Sequence, residues 1–235
     1  MATTRPRLTK VVTPAGIASY PHLTTPDTFK NKTEFKTNLI LDPAEDGVQA
    51  FLDKVSAAAE AAYAAGLAGL NEQLKEAKGK AINTLKEGIE TLKCHLPYEP
   101  EYADNGDETG KVVVKFKCLA GGVHQSGNKK GESWSRNLPI FDSQKNHLDS
   151  KTLRLWGGSI IRVQAEMNPY CMLATEKAGV SLRLYSVQLI KPADGGSGDG
   201  DGFGIEDGYV GEPAGESTST VDSPAADQSD DEEDF

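Results

Sequence analysis

Lys111-Val112-Val113-Val114-Lys115-Phe116-Lys117-Cys118 is the stretch on which the fold turns. Side chains alternate between the two faces of a strand. Val112, Val114, Phe116 and Cys118 therefore share one face, and Lys111, Val113, Lys115 and Lys117 the other. The first face is core. The second is a basic ridge on a sheet surface, of a kind that can meet phosphates.

The flanks extend this reading. Upstream, Asp104-Asn105-Gly106-Asp107 is a turn signal. Downstream, Gly121 to Gly131 reads as a Gly/Lys loop. Trp134 to Phe141 reads as a strand bearing Arg136, with Pro139 placing it at an edge. Gly158 to Met167 alternates again: Ile161, Val163, Ala165 and Met167 point inward, Arg162, Gln164 and Glu166 outward. Asn168-Pro169 is expected to turn the chain, with Tyr170 directly after it. The final strand, Val180 to Ile190, puts Val180, Leu182 and Leu184 inward and Arg183 and Tyr185 outward. Its phase shifts near Ser186, as a bulge would make it do.

Before the ridge, residues 1–15 are basic and Pro-punctuated and read as a loose arm. Gly16 to Leu23 is a short strand interrupted by Pro21. Thr33 to Leu41 is a half-buried strand with Phe35, Leu39 and Leu41 on one face and Lys36 and Asn38 on the other. A helix is expected to follow, with Asp42 as N-cap, Pro43 first and Glu45 third. Val48, Phe51, Leu52, Val55, Ala59, Ala62 and Tyr63 recur at helical spacing. A second helical stripe runs from Leu67 through Leu70, Leu74, Ala77, Ala81, Leu85 and Ile89 to Leu92, and Pro97 stops it. Gly66, Gly69, Gly79 and Gly88 weaken the region, so a break is expected near Gly66–Gly69. The helical segment spans about residues 43–93. Strands around an inserted helical segment make a mainly β domain, a small antiparallel barrel or sandwich, over residues 1–191.

Charge divides the chain. The whole carries 25 basic and 35 acidic residues, net -10. Residues 192–235 hold fourteen of the acids and no Lys or Arg, which leaves a body of net +4. A segment that acidic cannot bury enough apolar surface to offset its ordering entropy, and is expected to be a disordered acidic C-terminal tail. It closes with Asp230-Asp231-Glu232-Glu233-Asp234-Phe235, whose lone aromatic suits a partner's pocket. No stretch approaches the ~20 apolar residues of a membrane span. Met1-Ala2-Thr3-Thr4-Arg5 lacks a secretion h-region, so a cytosolic setting is expected. Cys94, Cys118 and Cys171 read as three reduced thiols, two of them core.

Catalytic motifs do not appear. There is no phosphate-binding Gly-x-x-x-x-Gly-Lys-Ser/Thr loop and no Gly-x-Gly-x-x-Gly after a strand. His22, His95, His124 and His147 are scattered away from any finger-like Cys spacing, so no metal and no cofactor is expected. What remains is a positive, ring-bearing sheet surface: Lys36, Lys115, Lys117, Arg136, Arg162 and Arg183, with Trp134, Tyr170 and Tyr185 as stacking candidates. Single strands are held in this way, by cations that track the backbone and rings that accept any base. The rival reading is an acidic-tailed scaffold or chaperone for basic proteins.

Tyr102-Ala103-Asp104-Asn105-Gly106-Asp107, Lys115-Phe116-Lys117-Cys118, and Gly157-Gly158-Ser159 leading into a basic strand and Pro169-Tyr170 are similar, in order and spacing, to the single-stranded DNA-binding protein family of the autographivirus (short-tailed phage) replication system. The Gly-rich linker and the tail ending in Asp-Phe resemble that family too. The resemblance covers about Gly16 to Ile190 and the tail. It implies an OB-fold, a homodimer, and binding and annealing of single-stranded DNA in replication, recombination and repair, in the cytoplasm of an infected bacterial host. It further implies tail contacts to the phage DNA polymerase and primase-helicase, with Phe235 as the terminal aromatic and Tyr170 at a DNA-contacting position. The chain departs from the family in two places. Its helical insert is longer, and Met172 stands where the family pattern has a Trp.

Overall fold

The computed structural model describes residues 8–30 and 32–193. The strands are β1 (Thr9–Val12), β2 (Gly16–Phe29), β3 (Lys32–Leu41), β4 (Lys93–His95), β5 (Tyr98–Tyr102) and β6 (Glu108–Leu119). After these come β7 (Gly121–Val123), β8 (Ser133–Ser135), β9 (Ile140–Phe141), β10 (His147–Leu148), β11 (Ile160–Met172) and β12 (Lys177–Lys191). Two helices, α1 (Val48–Glu76) and α2 (Lys80–Thr91), lie between β3 and β4.

Five strands close a barrel in the order β2-β3-β6-β12-β11, with β11 returning to β2 through Ile160↔Ile17 and Ile161↔Gly16. The ladders are antiparallel except β6–β12, which is parallel through Leu182↔Phe116 and Arg183↔Lys117. This is the OB-fold architecture with a helical insert.

The core follows from the alternation. Val114, Phe116 and Cys118 meet Phe35, Leu39 and Leu41 and the inward residues of β11 and β12 in one buried cluster. Val48, Phe51, Leu52, Val55 and Ala59 of α1 complete it. A smaller cluster of Leu70, Leu92 and Ala178, packed against by Tyr63, Leu85, Ile89 and Leu173, joins both helices to the β11–β12 hairpin. The bulge expected near Ser186 is present: Gln164 pairs with Ser186 and Ala165 with Leu184, leaving Tyr185 unmatched.

Several expectations are corrected. α1 begins at Val48, after an N-cap at Gly47, not at Pro43. The Asp42 carboxylate accepts the Ala44 N–H at 2.9 Å and so closes a turn rather than capping the helix. α1 runs unbroken through Gly66 and Gly69, and the break falls at residues 77–79. Packing overrides propensity here: a Cβ on Gly66 would lie 3.0 Å from the Cys171 Sγ, so the glycine lets α1 pack against Cys171 without displacing it.

Asn168-Pro169 does not turn the chain. β11 continues to Met172, Pro169 pairs with Val180, and the turn falls at Leu173–Thr175. The span from Trp134 to Phe141 is two short strands, β8 and β9, rather than one. Part of the loose arm is strand, since β1 pairs with β11 from Thr9↔Met167 to Val12↔Gln164. One thiol is buried, Cys118, whereas Cys94 and Cys171 are exposed. The tail, including Asp230 to Phe235, lies outside the described residues.

Candidate nucleic-acid interface

The outer face of the barrel carries a row of side chains in register. His22 of β2 pairs with Lys36 of β3, Lys36 with Lys117 of β6, and Lys117 with Arg183 of β12. The row goes on through Glu166 of β11 to Lys10 of β1. Neighbouring strands lie ~4.8 Å apart, so Lys36, Lys117 and Arg183 are spaced closely enough for a backbone of phosphates to cross them. The same alternation that buries Phe35, Phe116 and Leu182 turns these three cations outward.

Most of the cations already hold a carboxylate. Lys36 pairs with Asp27 at 2.5 Å and Lys115 with Glu99 at 2.5 Å. Arg183 grips Glu166, with Nε donating at 2.9 Å and a second, shorter contact from its Nη2. The hydrogen bond from Lys36 holds the Asp27 carboxyl below its usual range. Among the described residues Lys117 makes no ion pair. It is the free charge at the middle of the row.

Tyr170 stands beside this ridge. Its hydroxyl is hydrogen-bonded to His95 Nδ1 at 2.8 Å, and the rings meet edge-on at 6.4 Å. Burial raises the Tyr170 phenol, with a smaller push from Cys94. Burial lowers the His95 imidazole, helped by the charges of Lys177 and Lys115 and opposed by Glu99. Both groups are thus neutral near neutral pH, and the imidazole tautomer sets which of the two atoms donates. His95 is brought here by β4, which pairs in parallel with β12 through Gly179↔His95. Gly179 is required: a Cβ there would collide with the His95 carbonyl.

The other expected residues sit apart. Trp134 belongs to the small β7–β8 hairpin beyond the end of β6, where its ring lies against Gly122, and Arg136 follows directly, its N–H donating to the Ala120 carbonyl at 2.8 Å. Arg162 donates from Nε to the Thr13 carbonyl at 3.1 Å and borders a cleft of about 830 Å³ with Lys10, Lys54 and Phe51. The structure therefore groups Lys36, Lys115, Lys117, Arg183 and Tyr170, and leaves Trp134, Arg136 and Arg162 at the margins.

Sequence reasoning passed over His22, His95 and Lys10. Lys10 also covers the ring of Tyr185, its Nζ 3.2 Å from the centroid. The signal for Lys10 was the alternation of Thr9 to Val12, hidden by Pro6 and Pro14. For His95 there was none, since three residues carry no period. Among the described residues no cluster of three His, Cys, Asp or Glu is placed to hold a metal ion, and no helix is long and apolar enough to cross a membrane.

A family profile described as Single-stranded DNA-binding protein, Bacteriophage T7, matches residues 12–192. The chain belongs to that family. It is 27% identical over 198 residues to the single-stranded DNA-binding protein of Escherichia phage T7, covering 83% of this chain and 79% of the relative. It is 30% identical over 176 residues to the protein of that name from Enterobacteria phage T3, covering 74% and 69%. In fold it is similar to the crystal structure of gp2.5, a single-stranded DNA-binding protein encoded by bacteriophage T7 (TM-score 0.61, 23% identity, 88% of this chain and 100% of the other). The family profile spans every strand of the barrel and the whole row from His22 to Arg183.

Proposed function

We propose that this chain is a non-enzymatic single-stranded DNA-binding protein, whose strand crosses the barrel along Lys36, Lys115, Lys117 and Arg183 while Tyr170 stacks a base. The observation that carries this reading is the in-register row of cations on an exposed barrel face, in a chain of this family. Phosphates would displace Asp27, Glu99 and Glu166 from their partners, so each pair exchanges one anion for another. Such binding is sequence-tolerant and steeply salt-dependent. A longer strand is proposed to reach Trp134, Arg136 and Arg162 on leaving the row. The setting we propose is phage DNA replication, recombination and repair in the cytoplasm of the infected host, with the chain acting as a homodimer.

The acidic residues after 191 are proposed to act as a second domain. A chain of 44 residues has an r.m.s. reach of roughly 33–40 Å if it behaves as a flexible coil. Fourteen carboxylates on such a tether compete with DNA for the row, and the competition fades as salt shortens the Debye length to ~8 Å and below. Asp230 to Phe235 would then offer the phage DNA polymerase and primase-helicase an anionic, ring-tipped end. A salt titration of oligo-dT binding tests both parts. Removing residues 210–235 should tighten binding at low salt, with the gap closing as salt rises. Deleting Phe235 alone should leave oligo-dT binding unchanged and weaken partner binding. Salt-independent binding, or none, would end the single-strand reading.

A further inference from the structure

Two of the large rings that stand in solvent outside the row are Tyr20 and Trp156. Tyr20 is 78% exposed and Trp156 is 53% exposed. Tyr20 has φ 48, a left-handed conformation that a bulky residue adopts only under steric strain. The strain buys no burial. Tyr20 falls in an irregularity of β2, between the registered pairs Ser19↔Asn38 and His22↔Lys36. Asn38 pairs onward with Lys115, and Lys36 with Lys117. The strained ring is thus one strand away from Lys36 and two from Lys115 and Lys117.

Trp156 approaches β2 from the β11 side. The Gly158 N–H donates to the Ala18 carbonyl at 2.8 Å, and the Ala18 N–H to the Ser159 carbonyl at 2.8 Å. The chain entering β11 thus turns at Trp156–Ser159 against Ala18 of β2, two residues before Tyr20. Gly158, at φ 90, makes the bend that lets it do so.

We propose that Tyr20 and Trp156 are a second stacking platform, which takes unpaired bases from the strand whose phosphates lie along Lys36, Lys115 and Lys117. The inference rests on the single-strand reading above. An exposed ring beside a cationic track is what a base needs and what a protein core does not. The platform adds ring surface at the β2 side of the ridge.

The test compares Tyr20→Gly, Trp156→Ala and Lys117→Ala on oligo-dT and on an abasic oligonucleotide of equal length. Glycine adopts positive φ without a steric cost, so Tyr20→Gly removes the ring while keeping or raising the melting temperature. Each ring variant should bind oligo-dT roughly five- to hundredfold more weakly and the abasic strand as before. Lys117→Ala should weaken both. In a Trp134→Phe background Trp156 is the only tryptophan left, and oligo-dT should quench it. If Lys117→Ala weakens binding while the ring variants bind normally and Trp156 is not quenched, the platform is overturned and the single-strand reading stands. Equal losses on oligo-dT and abasic strand would also overturn it, because the rings would then be acting through the fold. Unchanged binding in all three variants would overturn both.

Discussion

On the inner side of β6, Val114, Phe116 and Cys118 are buried among apolar neighbours. One residue along, on the outer side, Lys115 and Lys117 stand in solvent, Lys117 in register with Lys36 and Arg183. The inner side is held by exclusion of water, so each residue there is constrained in volume. The outer side is held by very little. Its ion pairs are exposed and contribute modestly to stability. A strand can thus carry a demanding face and a tolerant face at alternate positions. A function that exchanges one anion for another belongs on the tolerant one.

Substitutions that act on one face alone test this division. The largest effect expected is Phe116→Ala, at 1% exposure, which should cost about 3–5 kcal/mol of stability in denaturant unfolding. The fraction still folded should bind oligo-dT at the normal affinity. A loss of binding larger than the loss of folded protein would show that the two faces are coupled.

Next in size, Tyr170→Ala should weaken oligo-dT binding by roughly 1–3 kcal/mol, with the salt slope unchanged. A variant that melts earlier but binds normally once folded would make Tyr170 a structural partner of His95 instead. Smaller again, Lys117→Ala should make log K against log salt shallower by roughly one counterion. Lys115→Ala should change the slope less, since Glu99 already neutralises that charge. Equal slopes for the two lysine variants would mean that the resting ion pairs do not matter to binding.

The smallest effect concerns pH. Burial holds the folded His95 pKa below its unfolded value. The stability this group contributes is therefore complete above the unfolded value of ~6.5 and is lost as pH falls through the folded one. Melting temperature should fall slightly from about pH 8 to about pH 5, and His95→Gln should flatten that fall. Asp27, whose carboxyl Lys36 holds low, adds a separate loss in the more acid range where carboxylates protonate.

Much of the barrel was legible because its strands are long and half-buried. The period of two from Lys111 to Cys118 and from Gly158 to Met167 reflects a core on one side and water on the other. The bulge at Tyr185 was legible as a break in that period. β4 was not, because three residues carry no period and their parallel partner lies more than eighty positions on. The unbroken α1 was hidden for a related reason. Gly66 reads as a breaker until Cys171 is seen against it. Asn168-Pro169 read as a turn although Pro169 stands in register with Val180 in a continuous ladder. In the candidate site, the cations were legible as the outward half of each alternation. Their carboxylate partners Asp27 and Glu99 were not, nor was the left-handed backbone of Tyr20. All three depend on which strands come to lie side by side.

β12 has a kinetic consequence. It is the last of the described strands, yet it pairs with β4, β6, β9 and β11. Until Lys177 to Lys191 leave the ribosome, β6 and β11 each keep an open edge and Phe116 has no opposing wall. Closure then depends on contacts between distant parts of the chain, which makes folding slow for its size. The open end of β6 beyond its β5 partner, and the open edge of β11, are also templates for another chain's strand. A ribosome stalled just short of Lys177 would therefore hold out an adhesive half-barrel, and synthesis of the final fifteen barrel residues is what makes the protein safe to release.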